Sequence, residues 1–354
     1  MVDFRLAPEE QKVIAELQVF LDTEVMPEQE RLREYFDHDA LGILPDGHVH
    51  PELIRASREI RRRSAKAGFL ALHIPKEGGG LGLSYNAYLQ ALKTVYTRGL
   101  GLTLSVVGAI EGPNRMLLSL DEEHRKRWLA PLVQGEKTTC VALTEWGVGS
   151  DLRNMQTRAV KDGDEWVIDG TKVFITNGPY ADFVQVLART GDEGGPGDFT
   201  AFLVEAGTPG FRRGEMLETI ANNGLPCELV FEGCRVPQEN VIGGEGEGFY
   251  QALQNINELR IMNGGLSLGL AQFCLDQTIG YLNTRTAFGK PIAKYQGVSF
   301  PMADSLTELR AAEALATYAA WLIDTGEPSL TVSQSCQASP TGGSMDSQAS
   351  ARAR

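Results

Sequence analysis

The spacing of apolar residues changes twice along the chain, near residue 139 and near residue 241. Before the first change, apolar side chains recur at the spacing of amphipathic helices. Between the two changes, short β-prone runs alternate with glycine-containing turns, and after the second change the helical spacing returns. A chain that switches from helix to strand and back to helix is expected to fold as an α+β protein.

This order predicts three folded parts. We expect an N-terminal all-α domain (1–138), a small β-barrel-like central domain (139–240) and a C-terminal α-helical bundle (241–325). From about Glu327 the chain is rich in serine and contains no aromatic residue. Such a segment buries too little apolar surface to offset its loss of conformational entropy, so residues 326–354 are predicted to be a disordered tail. The helical bundle is therefore expected to be incomplete.

Turn-forming residues indicate where individual helices begin and end. We expect a helix from Pro51 to Ala67, and helical spacing over about 102–120 with an interruption at Gly112–Pro113. Two long helices are predicted in the C-terminal part, over about 249–284 and 296–324.

The central part contains the signals of strands and tight turns. The β-prone runs predict strands at 166–168, 173–176, 183–187, 200–204 and 229–231. Two glycine-containing sequences, Asp162-Gly163-Asp164 and Asp169-Gly170, predict hairpin turns.

Composition excludes several classes of function. The net charge of −13 argues against nucleic acid or an anionic membrane as the main partner, although a local basic pocket can still bind an anionic substrate. The chain lacks an apolar run long enough to span a membrane and an N-terminal signal sequence, so we expect a cytoplasmic protein. The five cysteines show no paired metal spacing, and His48 and His50 lie in a turn-rich loop, so we expect no metal site and no disulfide framework.

The run Ala142–Asp151 carries the strongest functional signal. It joins a Thr-Glu pair to a glycine-containing turn and a Gly-Ser-Asp sequence. Glycines let backbone N–H groups converge on an anionic ligand, although an ordinary turn entering a sheet has a similar composition. The run resembles the signature of the acyl-CoA dehydrogenase family, from which it departs at Trp146, where proline is common, and at Val148, where a small residue is usual.

The resemblance covers about residues 3–325 and implies that the chain binds FAD. In the family this loop lies along the flavin, where donors stabilise negative charge on the reduced ring. Carried over to this sequence, the cofactor contacts are Val141, Leu143, Thr144, Gly149 and Ser150.

A second motif, Phe174–Gly178, resembles the strand that faces the flavin in the family. The resemblance implies that Phe174 packs on the flavin ring and that Thr176 donates a hydrogen bond near the atom that accepts hydride. Taken alone, the motif is equally typical of a core aromatic residue followed by a turn.

A third motif, Arg285–Pro291, is followed by Tyr295 and Gln296 and implies a homo-oligomer, either a dimer or a tetramer. In the family the matching arginine reaches the pyrophosphate of FAD across a subunit interface, and a guanidinium suits this role because it binds phosphate bidentately. The implied cofactor contacts are Arg285, Phe288 and Gln296. Without the resemblance, a solvated loop after a helix explains the same residues.

The resemblance also implies an acyl-CoA substrate and an electron-transfer flavoprotein or a similar electron acceptor. Glu111 matches the bottom of the acyl pocket, while Asn257, Arg260 and Ser150 match contacts to the thioester and pantetheine. The alternative for Glu111 is an acid at a helix end. The alternative for Arg260 is an ion pair on a helix surface.

The catalytic base is missing from both places where the family carries it. Desaturation needs a carboxylate that removes the α-proton while the flavin accepts the β-hydride. One family position directly precedes Arg260 and holds Leu259 here, and the other lies in a C-terminal Tyr-Glu-Gly-type motif that is not found in the chain. Glu258 is the only neighbouring candidate, but it is turned by about 100° around the helix.

The sequence diverges from the family near Pro328, which a frameshift, a truncation or a genuine alternative end would each produce. We therefore expect a homologue for FAD-dependent α,β-desaturation of acyl-CoA that is inactive as written. Two alternatives remain open, namely a related flavin oxidase acting on acyl-CoA or a nitroalkane, and a non-catalytic subunit that pairs with a complete paralogue.

Overall fold

The computed structural model describes residues 3–36, 42–108, 111–219 and 224–327. The segment predicted to be a disordered tail lies outside the described residues from residue 328 onward. The α-helices in the described part are α1 (Pro8–Phe20), α2 (Met26–Arg31), α3 (Pro51–Lys66), α4 (Tyr85–Tyr96), α5 (Glu122–His124), α6 (Ala130–Val133), α7 (Gly248–Thr284) and α8 (Gln296–Asp324).

The sequence locates the long helices well and fails in one stretch. The predicted helices at 51–67, 249–284 and 296–324 are confirmed as α3, α7 and α8. The helix expected over 102–120 is wrong, because this stretch contains two 3₁₀ turns, Leu102–Ser105 and Arg115–Ser119. The second turn is initiated by the Asn114 side chain, which accepts a hydrogen bond from the N–H of Met116 at 3.1 Å.

The strands are β1 (Thr139–Ala142), β2 (Arg158–Asp162), β3 (Glu165–Thr176), β4 (Phe183–Arg189), β5 (Phe199–Glu205), β6 (Phe211–Met216), β7 (Pro226–Pro237), β8 (Val241–Ile242), β9 (Thr286–Ala287) and β10 (Lys290–Pro291). Among the described residues, one sheet runs in the order β6-β7-β3-β2-β4-β5-β8, with β1 parallel to β4. The sheet pairs strands that follow each other in sequence, such as β2 and β3, and strands that are far apart in sequence, such as β3 and β7. This agrees with the barrel-like central domain predicted from the sequence. The strands β9 and β10 form a separate hairpin.

Buried side chains of several strands form one apolar core on one side of the sheet. Trp166 of β3 contacts Phe202 of β5 edge to face at 5.4 Å between ring centroids. Buried side chains from β1, β4 and β7 complete this core. The opposite face of β4 and β5 packs against Trp128, whose ring lies 5.0 Å from that of Phe183. Both faces of these two strands are therefore buried, which explains their continuous apolar runs.

One of the two predicted hairpin turns is confirmed and the other is wrong. Asp162 pairs with Glu165 across the turn between β2 and β3. In contrast, β3 runs straight through Asp169-Gly170, with a register shift against β7 between Ile168 and Gly170. A Cβ atom on Gly170 would lie 2.5 Å from Thr157 Oγ1, so glycine is required here by the close approach of another strand segment.

The chain divides into two compact units. The first contains described residues of Met1–Pro27, Gly82–Leu104 and Asn257–Arg354, and the second contains Glu28–Leu81 and Ser105–Ile256. In the first unit, α7 carries glycines at positions 265 and 269, one helical turn apart. A Cβ on Gly265 would lie 2.6 Å from Leu92 Cβ, so these glycines allow α4 and α7 to approach closely.

Polar contacts fix α4 within the first unit. The Asp324 carboxylate at the end of α8 accepts hydrogen bonds from the N–H groups of Tyr85 at 2.6 Å and Asn86 at 3.1 Å. These are N-terminal amides of α4 that have no partner within the helix. Lys93 and Glu313 form a second link between α4 and α8. Helix α4 is thus held at both ends.

Three findings bear on the excluded functions. Across the described ranges, no helix has the length and apolarity needed to cross a membrane. The same ranges contain no group of three or more side chains arranged to hold a metal ion. Four cysteines, Cys140, Cys227, Cys234 and Cys274, are free thiols, and Cys336 lies outside the described residues.

Candidate functional site

The loop after β1 is tied to β3 by a buried ion pair. Lys172 Nζ lies 2.8 Å from Glu145 Oε1 and donates to the carbonyl oxygen of Leu143 at 3.1 Å. Glu145 also accepts from the backbone N–H groups of Gln156 at 2.6 Å and Thr157 at 3.0 Å. The loop that contains the Thr-Glu and Gly-Ser-Asp sequences is therefore closed on itself and fastened to the sheet.

Burial shapes the charges of this pair. Burial lowers the pKa of Lys172 to about 8, against the opposing effect of Glu145, so the ammonium is still mostly charged at neutral pH. Burial works to raise the pKa of Glu145, but the charge and hydrogen bond of Lys172 outweigh it, and this pKa lies below its usual range. The pair is ionised at neutral pH.

A β-bulge presents Phe174 to solvent. The register of β3 against β7 shifts between Lys172 and Ile175, and Phe174 within this shift has a φ of +56°. A positive φ is strained for a residue with a side chain and is tolerated where the surrounding structure fixes it. Phe174 remains 47% exposed while its neighbours Val173 and Ile175 are buried. The bulge therefore directs one large aromatic ring outward from an otherwise packed strand.

The predicted loop and the predicted strand meet at this bulge. The N–H of Val173 donates to the carbonyl oxygen of Thr144 at 2.9 Å, which places Thr144 beside Phe174. Trp146 lies on the other side, with its ring 5.6 Å from that of Phe174 and its indole N–H donating to Glu228 Oε1 at 2.9 Å. The side chain of Thr176 is exposed one strand position beyond Ile175.

Open space surrounds the glycines of the loop. A Cβ atom built on Gly147 or Gly149 would meet no atom within 4 Å, and Ser150 beside them is exposed. Val141 and Leu143 differ from these residues, because their side chains pack against the apolar core outside β4 and β5. Both side chains are only partly buried.

In the first unit, Arg285 and Phe288 lie at the β9–β10 hairpin. The hairpin is stiffened by Tyr295, whose hydroxyl donates to the carbonyl oxygen of Ala287 at 2.9 Å and whose ring lies 4.2 Å from Lys290 Nζ. Phe288 at the tip is 97% exposed with a φ of +50°. Arg285 and Gln296 are also exposed.

On α7 the structure brings together two of the predicted substrate residues. Arg260 Nη1 donates to Asn257 Oδ1 at 2.6 Å, one helical turn away. The alternative of an ion pair on the helix surface is wrong for the described contacts, because this partner is an amide and Arg260 Nε is buried without a hydrogen-bond partner. A buried guanidinium N–H without an acceptor is costly, so this group is available to a ligand oxygen.

The carboxylate of Glu258 is engaged elsewhere on the same unit. It accepts a hydrogen bond from the hydroxyl of Tyr85 on α4. Leu259, which precedes Arg260, is half-buried and has no titratable group.

Glu111 forms an ion pair with Arg61 of α3. The Arg61 side chain is almost fully buried, and burial lowers its pKa to about 10. Glu111 therefore neutralises a cation that has left water, which is a structural role. Its predicted place at the bottom of an acyl pocket stays a prediction.

Replacing Glu111 with alanine is expected to lower the free energy of unfolding by about 3–5 kcal/mol, because Arg61 is left buried and unpaired. Equilibrium denaturation by urea measures this loss. The double variant Arg61→Met/Glu111→Leu removes both charges and is expected to recover most of it. A stable Glu111→Ala protein would contradict the structural role.

Sequence reasoning missed the anchoring residues. Lys172 lies inside a β-prone run, where a lysine is ordinarily assigned to the solvent face. Its burial depends on the partner carboxylate of Glu145, which is distant in sequence. The partners Arg61 and Tyr85 were missed for the same reason, and no local signal identifies them.

Comparison with known proteins adds to this geometry. Profiles of the acyl-CoA dehydrogenase N-terminal, middle and C-terminal domains match residues 7–136, 140–234 and 246–339. The chain belongs to the acyl-CoA dehydrogenase family. The C-terminal match continues to residue 339, past the divergence expected near Pro328.

Individual members of the acyl-CoA dehydrogenase family resemble this chain in sequence and in fold. An isobutyryl-CoA dehydrogenase of Dictyostelium discoideum is 37% identical over 77% of this chain, and the match spans 66% of that protein. An acyl-CoA dehydrogenase of Bacillus subtilis is 34% identical over 76% of this chain and 71% of its own length. A glutaryl-CoA dehydrogenase from Mycobacterium smegmatis, solved in complex with FADH2, superimposes with a TM-score of 0.82 at 27% identity, covering 98% of this chain and 84% of the other.

Proposed function

We propose that this chain binds FAD and an acyl-CoA thioester and that, because neither Glu258 nor Leu259 serves as the base, it desaturates the thioester slowly at best. The observation that carries the proposal is the strained bulge at Phe174, which meets the loop at Thr144 in front of open space. Strained backbone conformations cluster at active sites and ligand-binding sites.

The residues of the second unit fit FAD in chemical type. An exposed aromatic ring at Phe174, hydroxyls on Thr144, Ser150 and Thr176, and glycines with open space in front suit a flat, polar-edged ring. FAD, when bound, supplies the acceptor for the hydride that leaves Cβ of the acyl chain. The loop provides donors that stabilise negative charge, and the Phe174 side chain provides apolar contact.

The residues of α7 fit an acyl-CoA. The buried Nε–H of Arg260 lacks an acceptor, and an oxygen of the thioester or of pantetheine satisfies it. Asn257 orients the guanidinium through its side-chain oxygen. The similarity to the isobutyryl-CoA dehydrogenase of Dictyostelium discoideum supports a short acyl group as the substrate.

Proton abstraction is the step that these residues do not support. The carboxylate of Glu258 accepts a hydrogen bond from Tyr85, which stabilises its charge and directs it toward α4. Leu259 cannot accept a proton. A positioned general base contributes about 10²–10⁴-fold, so its loss alone makes desaturation slow.

The exposed hairpin favours assembly of identical subunits. Phe288 at the stiffened tip is almost fully exposed, and insertion of its ring into a second copy would bury this apolar surface. Arg285 on the same hairpin is then placed to meet a pyrophosphate bound by the partner. We further propose an electron-transfer flavoprotein as the acceptor, as in the family. Nothing in the described part of the chain favours a flavin oxidase or a non-catalytic subunit.

Replacing Phe288 with serine is expected to shift the protein toward monomers at a given concentration, because the apolar contact at the tip is lost. Sedimentation velocity over a range of protein concentrations measures the shift. Phe288 is so exposed that the thermal unfolding of the monomer should not change. A Phe288→Tyr variant, which keeps the ring, serves as the control. Unchanged sedimentation of Phe288→Ser would contradict the assembly proposal.

Titration of the isolated protein with FAD tests the proposed function. Flavin fluorescence is expected to be quenched in a saturable way, and excess acyl-CoA is expected to perturb the visible spectrum of the bound flavin. The proposal fails if no saturable quenching is observed at high FAD concentration.

A further inference from the structure

The buried residues Lys172 and Glu145 are close in sequence to two of the predicted flavin contacts, Phe174 and Thr144. Glu145 directly follows Thr144, and Lys172 precedes Phe174 by two positions. The lysine reaches the carbonyl oxygen before Thr144 and the carboxylate after it, at 3.1 Å and 2.8 Å. The Lys172 side chain therefore contacts the residue directly before Thr144 and the residue directly after it.

The far end of the loop depends on the same carboxylate. Glu145 accepts from the N–H groups of Gln156 and of the buried Thr157, which follow the Gly-Ser-Asp sequence. It also pairs through its own backbone with Val148 in both directions, at 3.0 Å each. The turn that carries Trp146 and Gly147 is closed by these bonds. The loop geometry is thus set from a single residue.

The two charges of this pair are almost fully removed from water. The side chains are 0% exposed for Lys172 and 5% exposed for Glu145, so both charges have left water. Buried ion pairs are commonly replaced by apolar residues of similar size without loss of stability. What an apolar pair cannot reproduce is the set of directed hydrogen bonds to the loop backbone. The pair is therefore suited to fixing geometry.

We propose that Lys172 and Glu145 are positioning residues that hold Thr144 and the bulge at Phe174 in the arrangement that binds the flavin of FAD. The inference rests on the proposed function, because it assigns these two residues to the same cofactor site. Neither side chain contacts the cofactor. Both act through the backbone of the loop and of β3.

The double variant Lys172→Met/Glu145→Leu tests the proposal, because it removes both charges together. The variant Lys161→Met/Glu245→Leu is the matched control, since it removes a lysine–glutamate pair of the same unit that is 48% and 51% exposed and does not contact the loop. Thermal unfolding, FAD affinity by fluorescence quenching and the visible circular dichroism of bound FAD are measured for wild type and both variants.

We expect the Lys172→Met/Glu145→Leu variant to bind FAD roughly tenfold more weakly and to show an altered visible dichroism spectrum. It is also expected to unfold at a lower temperature than wild type, because backbone groups of the loop lose their hydrogen-bond partners. In the apo protein, the N–H groups of Gln156, Thr157 and Val173 are expected to exchange hydrogen faster. The control variant should match wild type in every measurement. If the double variant does not fold, Lys172→Met/Glu145→Gln is measured in its place, because it also removes both charges but keeps an acceptor for the loop N–H groups. A smaller loss of affinity in the same direction is then expected, and an unchanged affinity would overturn the positioning role.

Two failures can be told apart. If wild type binds FAD and the Lys172/Glu145 variant binds it with the same affinity and dichroism, the positioning role is overturned and the proposed function stands. If wild type itself binds no FAD, the proposed function is overturned and the positioning role falls with it.

Discussion

Replacing Leu259 with glutamate is expected to create acyl-CoA-dependent bleaching of bound FAD at a rate at least about 10²-fold above wild type. The position directly precedes Arg260, whose unsatisfied guanidinium is the proposed contact to the thioester. In the family a catalytic carboxylate directly precedes the matching arginine, so we expect a carboxylate at position 259 to remove the α-proton, which leucine cannot do. Stopped-flow absorbance under anaerobic conditions measures the rate.

Two controls separate a new base from a general perturbation of α7. Leu259→Gln has the same shape as the glutamate variant but no basic carboxylate, and it should stay as slow as wild type. Glu258→Gln in the Leu259→Glu background should leave the new rate largely unchanged, because the Glu258 carboxylate is bound by Tyr85. If Leu259→Gln were as fast as Leu259→Glu, the assignment of this position to the base would be wrong.

Replacing Phe174 with glycine is expected to weaken FAD binding by about 10-fold or more while the apo protein stays close to wild type in stability. Glycine tolerates the φ of +56° without strain, which offsets its greater freedom in the unfolded chain. The side chain itself is half exposed, so little core packing is lost. Flavin fluorescence titration and urea denaturation measure the two quantities separately.

Phe174→Tyr is the matched control for this variant. It keeps the ring and the positive φ and should bind FAD as wild type does. Equal affinities for Phe174→Gly and wild type would show that the exposed ring is not part of the cofactor site, even if FAD binds elsewhere.

The sequence predicts the long elements because their signals are local. Helix α8 was located from its amphipathic alanine-rich run, and the turn between β2 and β3 from Asp162-Gly163-Asp164. Asp169-Gly170 has the same local signal but no turn, because the glycine is needed there for the close approach of Thr157. Local composition cannot distinguish these two reasons for glycine.

Strands with few apolar residues cannot be predicted from local sequence patterns. Strand β6 contains two arginines and a glycine and lies at the edge of the sheet, where few of its side chains are buried. Its place is fixed by pairing with β7, which is a contact between distant residues. Alternation of apolar residues is therefore absent although the strand is present.

For the candidate site, the resemblance predicts which residues contact the cofactor but not how the fold holds them. It named Thr144 and Phe174, but it did not reveal the positive φ of Phe174 or the bond between Thr144 and Val173. Both lie next to the buried pair of Lys172 and Glu145. A charge inside a strand becomes interpretable only once its partner is located.

The rate at which acyl-CoA bleaches FAD bound to the unmodified chain tests the central claim most directly. FAD is first bound to saturation, and acyl-CoAs of several chain lengths are then mixed in without oxygen while the visible absorbance is followed. The account predicts binding-induced spectral changes without rapid bleaching, because neither Leu259 nor Glu258 is placed to remove the α-proton. Rapid bleaching that disappears in Glu258→Gln would contradict it and would identify Glu258 as the base.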